Sequence, residues 1–155
     1  MPWLKEAEKG NTVDQKAIAW MKTKLAANLQ SLERLKNNGV AGFSWGDIQS
    51  AVLVERSGKM HFYDFEHASI SCSPGLAYVK IHGKFSAEQF NYFLERYALY
   101  SHKTKTELSN EIAVEEKIIR VNDVVWAAMQ WASTGERQFK RLTYRRMVLA
   151  DQLDA

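Results

Sequence analysis

The chain has 155 residues, 46% hydrophobic, 25% charged and 12% aromatic, with a net charge of +3. That length and composition suit one globular domain that buries a core without disulfides or metal, and two prolines and eight glycines argue against extensive disorder. No apolar run reaches the length of about 18 residues that a membrane span needs. Met1 to Gly10 lacks the apolar centre of a signal peptide, and a single cysteine, Cys72, points to a reducing, cytoplasmic setting.

The charge is uneven. Residues 134–149 hold five basic side chains (Arg137, Lys140, Arg141, Arg145 and Arg146) against the one acid Glu136, so the remaining residues are near neutral.

In chain order, Thr12-Val-Asp-Gln15 has the form of a capping box and opens a long helix. Ile18, Met21, Leu25, Asn28, Leu32 and Leu35 recur every three to four residues, a seam of the coiled-coil type with one polar member. Asn37-Asn38-Gly39 ends it, since Asn and Gly tolerate the left-handed conformation. Gly39 to Gln49 reads as a connector. Ala51 to Arg56 and Met60 to Glu66 alternate around the Ser57-Gly58 turn, as a hairpin does. Ser69 to Cys72 and Leu76 to His82 add a third and a fourth strand, divided by the turn Ser73-Pro74-Gly75.

Helical signals return at Ser86-Ala-Glu-Gln89, a second capping box, with Phe85 and Phe90 placed as a hydrophobic staple. Three more helices are expected: Glu107 to Arg120, one capped by Asn122, and one from Glu136 to Leu153 after the Thr134-Gly135 break. The expected architecture is a single α+β domain over residues 1–155. A long N-terminal helix precedes an antiparallel three- to four-stranded meander, and several C-terminal helices pack on one face of that sheet.

The basic C-terminal helix is the leading functional candidate. At about 100° per residue, Arg137, Lys140, Arg141, Tyr144 and Arg145 share one face, opposite Phe139, Leu142, Leu149 and Leu153. Such a face neutralises phosphates, with Tyr144 available to stack on a base, or grips an acidic protein surface. A rival account pairs the arginines internally with the acidic stretch Glu107, Glu111, Glu115 and Glu116. Arg146 falls among apolar positions and needs a partner of its own.

Two other classes compete. One is an interaction adaptor or inhibitor using the N-terminal helix, whose seam also suits a homo-oligomer. The other is a small enzyme around Asp64, Glu66 and His82. His61 and His67 lie too far apart along a strand, roughly 20 Å, to share a metal ion. Tyr78, Lys80 and His82 would share one open strand face. No Walker loop, dinucleotide fingerprint, zinc spacing or nucleophile elbow occurs, so neither cofactor nor metal is implied. The leading expectation is a non-enzymatic binding protein.

Overall fold

Among the described residues, five helices of seven to thirty residues and an eight-residue N-terminal one dominate: α1 (Pro2–Lys9), α2 (Gln15–Asn38), α3 (Leu76–His82), α4 (Ala87–Ser101), α5 (Lys105–Thr134) and α6 (Arg137–Asp151). The computed structural model describes residues 2–9, 12–38, 42–44, 52–62, 69–71, 75–83 and 85–154. Four three-residue strands complete them: β1 (Gly42–Ser44), β2 (Val52–Val54), β3 (Met60–Phe62) and β4 (Ser69–Ser71). None of these helices is long and apolar enough to cross a membrane.

The expected α+β class is therefore corrected to a predominantly helical one. No three- or four-stranded meander forms among the described residues. The strands pair two by two, β2 with β3 and β1 with β4, in separate antiparallel ladders. Between β2 and β3 the Glu55 amide donates to the Lys59 carbonyl at 2.9 Å, and Gly58 takes φ 82°, which glycine adopts without a Cβ clash. Ladders of two three-residue strands are too small to carry a core.

The largest single departure is Leu76 to His82, which alternates like a strand but folds as α3. Three contacts favour the helix. The backbone amide of Ala77 donates to the Glu115 carboxylate at 3.1 Å, so a side chain from α5 satisfies an amide in the first turn of α3. Gly75 at the N-cap offers no side chain for that task. Lys80 pairs with Glu116 at 2.6 Å, and the rings of Tyr78 and His82, one turn apart, lie 4.4 Å from centroid to centroid. Periodicity of two in a seven-residue segment yields to such tertiary partners.

The chain divides into two compact units, residues 1–32 with 117–155, and residues 33–116. In the first unit Ala7 of α1, Ala17, Ile18 and Met21 of α2, Val124, Val125, Ala128 and Trp131 of α5, and Met147 of α6 form one buried cluster, with Val13 beside them. The N-terminal half of the α2 seam thus lies in an intramolecular core. Asn28 is half-buried and Leu29 is exposed, while the side chains of Leu32 and Leu35 lie outside the described set. Asp14, not Thr12, caps α2: its carboxylate accepts from the Ala17 amide at 2.9 Å.

In the second unit Leu76 and Ala77 of α3, Leu94 of α4, and Leu108 and Ile112 of α5 are buried. The capping box at Ser86 is complete in both directions, 3.1 Å from Gln89 N to Ser86 Oγ and 2.8 Å from Ser86 N to Gln89 Oε1. Phe85 packs its ring on Phe93, with centroids 6.4 Å apart. The expected break before Asn122 is absent. Residues 105–134 contain neither glycine nor proline, so α5 runs unbroken for 30 residues, about 45 Å. It stops at Gly135, whose φ of 69° is left-handed and whose amide donates to the Trp131 carbonyl at 2.9 Å.

Candidate nucleic-acid interface

The candidate surface lies on α6, and its geometry follows from which side of that helix is buried. Thr143, Met147 and Ala150 are the buried positions. Phe139, Leu142 and Leu153 are half-buried, and Leu149 is exposed. The anchoring face is therefore rotated from the one expected on hydropathy. Thr143 is tolerated on this face because its hydroxyl donates to the Phe139 carbonyl at 2.8 Å, so the residue enters the interior with its polar group satisfied.

This rotation divides the five basic and aromatic positions into two sets. Arg137, Arg141 and Arg145 are exposed. They repeat every four residues, about 6 Å of helix rise per step, and form a slightly winding stripe. Among the described residues no carboxylate lies within 4.0 Å of any of the three. Lys140, which is also exposed, and the half-buried Tyr144 border the buried face. The Lys140 ammonium lies 5.2 Å from the Trp131 ring centroid, a cation–π placement.

Tyr144 is half-buried, its ring centroid 6.4 Å from that of Trp131. Its hydroxyl donates to the other carboxylate oxygen of Asp14, the cap of α2. Burial, the bond to Asp14 and the charge of Asp14 push the Tyr144 hydroxyl up to about 12. Partial burial of Asp14 opposes its ionisation. The bonds from Tyr144 and the Ala17 amide, with Lys140 and Lys16 nearby, outweigh it and hold the carboxyl below its usual range. Tyr144 is thus engaged in joining α6 to α2, and its ring is not an open platform for a base.

Arg146 has the partner its position demands. Its guanidinium donates to the Asp123 carbonyl at 2.8 Å and lies 5.3 Å from the Trp126 ring centroid. Trp126 in turn meets Phe139 edge-on at 6.2 Å.

The four glutamates find partners in their own unit. Glu107 accepts from the Thr104 amide at 2.7 Å, Glu111 pairs with Lys103 at 2.6 Å, and Glu115 and Glu116 hold α3 as described above. The acidic stretch therefore builds helix termini and helix contacts. Its role was hidden in the sequence because a run of glutamates reads as a solvated face, whereas Glu115 and Glu116 are 4% and 9% exposed.

Asp64 and Glu66 lie outside the described residues. His82 sits in α3 beside Tyr78, so Tyr78, Lys80 and His82 do not form the expected strand face. Among the described residues no group of three or more His, Cys, Asp or Glu side chains is arranged to hold a metal ion. Compared with models of known families, with curated proteins and with solved structures, the chain gives no match.

Proposed function

We propose that the protein is a non-enzymatic binding module that engages a polyanion, the phosphate backbone of a nucleic acid, through Arg137, Arg141 and Arg145. The observation that carries this reading is the stripe of three exposed arginines with no carboxylate in reach among the described residues. Arginine at an unpaired, regularly spaced set of positions matches phosphates, each of which takes a forked contact from a guanidinium. The N-terminal end of α6, where Arg137 lies, adds the positive pole of the helix dipole, opposed only by Glu136 at the cap. Lys140 flanks the stripe, and Tyr144 serves it indirectly by fixing the helix. With the one aromatic ring turned inward, contact to phosphates rather than base stacking is the expected mode, so sequence preference is expected to be weak. The single cysteine supports a reducing, cytoplasmic setting for this activity.

The test is fluorescence anisotropy of a labelled duplex titrated at several salt concentrations. Three neutralised phosphates give a slope of about −2.7 in log K against log salt, so a fourfold rise in salt weakens binding about 40-fold. Each single change Arg137→Gln, Arg141→Gln or Arg145→Gln is expected to flatten the slope by about 0.9. Binding that ignores salt, or none at low salt, overturns the reading. An acidic peptide that binds with the same slope while the duplex does not would reassign the stripe to a protein partner.

A further inference from the structure

The second unit carries a surface that the arginine stripe does not explain, the outer side of α4. Leu94 is buried on the inner side, with Phe90, Tyr97 and Ser101 half-buried along the same line. On the outer side Tyr92 is 65% exposed, Leu99 68% and Tyr100 78%, and Phe85 just ahead of the helix is 50% exposed. Glu88, Arg96 and Leu99 all fall within about 40° of Tyr92 around the helix axis. Phe85, Glu88, Gln89, Tyr92, Phe93 and Arg96 line an open groove of ≈ 700 Å³ on this side. A contiguous aromatic and aliphatic strip of this kind marks an interaction surface.

The order of charges along the strip identifies what fits it. Glu88 lies four residues before Tyr92 and Arg96 four residues after. Phe85 lies seven before and Leu99 seven after. A twofold axis through Tyr92, perpendicular to α4, therefore brings Glu88 of one copy to Arg96 of the other, and the Leu99 end of each helix towards the groove that Phe85 lines on the other. Tyr92 meets its own equivalent. Among the described residues neither Glu88 nor Arg96 has an ion-pair partner, although nearby Glu95 is held by Lys105 at 3.0 Å.

We propose that α4 pairs antiparallel with α4 of a second copy of this chain, centred on Tyr92. The pairing is isologous: each charge meets its opposite twice, and Leu99 of each copy enters the groove beside Phe85 of the other. The antiparallel arrangement also sets the positive end of each helix dipole beside the negative end of the other. One helix face per copy is less than the area of a standard interface, so the dimer is weak, with Kd on the order of 10–100 µM.

Sedimentation of the full chain from about 5 to 500 µM tests this, a range that brackets that affinity. The expected result is a reversible monomer–dimer equilibrium. Tyr92→Glu, which sets two carboxylates against each other on the axis, abolishes the dimer. Glu88→Arg and Arg96→Glu each weaken it at least tenfold, because each creates two like-charge contacts. The double variant Glu88→Arg/Arg96→Glu restores it, a recovery that a general loss of fold would not give. All three positions are exposed, and circular dichroism confirms the helix content of each variant. A monomer throughout the range, a dimer indifferent to Tyr92→Glu, or a double variant no better than the single ones overturns the proposal. So does a different protein that co-purifies on this face and is lost with Tyr92→Glu.

Discussion

Asp14 performs two tasks, and its removal is the sharpest probe of how α6 is held. One carboxylate oxygen caps α2 at the Ala17 amide, 2.9 Å away, and the other accepts the Tyr144 hydroxyl. Loss of an N-cap costs about 1 kcal/mol. Loss of a hydrogen bond to a charged acceptor costs about 1.5–3 kcal/mol. Asp14→Ala should therefore destabilise by about 2.5–4 kcal/mol. Tyr144→Phe removes only the second contact, and Asp14 keeps the Ala17 amide and its lysine neighbours, so its cost belongs near the lower end, about 1.5 kcal/mol. Asp14→Ser keeps a capping oxygen and should match Tyr144→Phe rather than Asp14→Ala.

The assay is urea unfolding followed by tryptophan fluorescence, since Trp3, Trp20, Trp126 and Trp131 all belong to the unit that contains Asp14. A double-mutant cycle between Asp14 and Tyr144 should give a coupling of about 1–2 kcal/mol. Additivity within about 0.5 kcal/mol would refute the reasoning. The same contact predicts two limbs in the pH dependence. Asp14 has a lowered pKa in the fold, so its contribution is present above the unfolded carboxylate value and is lost as pH falls through the folded one. Tyr144 is raised to about 12, so its contribution is present below the unfolded value and is lost as pH rises towards about 12. In Asp14→Ala the alkaline limb due to Tyr144 should shrink.

Other perturbations follow from the same geometry. Met21 is fully buried in the cluster of the first unit, and Met21→Ala should cost about 2–5 kcal/mol in urea unfolding through the cavity it leaves. Glu115→Ala deprives the Ala77 amide of its acceptor, and hydrogen exchange at that amide should quicken at least tenfold, with α3 opening before α4. Gly135→Ala meets open space, so its cost comes from the φ of 69° alone and should be about 1–2 kcal/mol, read as a lowered Tm.

Local chemistry was legible. The long helix ending at Asn38, the capping box at Ser86, the punctuation at Gly135 and a last helix rich in arginine can all be read from neighbouring residues. Each depends on interactions within a few positions: a side-chain cap, a left-handed glycine, a repeat of four. The cap of α2 lies two residues beyond Thr12: Thr12 and Asp14 are both capping residue types, and only the bond to Ala17 separates them. Asn122 is a favourable capping residue type, but it does not by itself stop a helix. A glycine or proline is the stronger signal, and α5 has none.

What the sequence could not supply was the partner across the fold. The pattern of Leu76 to His82 is alternating, yet Glu115 and Glu116, more than thirty residues away, turn that segment into a helix and are themselves buried by it. The inward face of α6 likewise runs through Thr143, Met147 and Ala150, with the Thr143 hydroxyl satisfied on the Phe139 carbonyl. The positive surplus is accordingly divided. Sequence alone placed the positive surplus on one helix. Tertiary structure took Tyr144 and Arg146 into packing, set the exposed Lys140 against Trp131 and left Arg137, Arg141 and Arg145 in solvent, because each buried polar group needs a partner and only the fold assigns one.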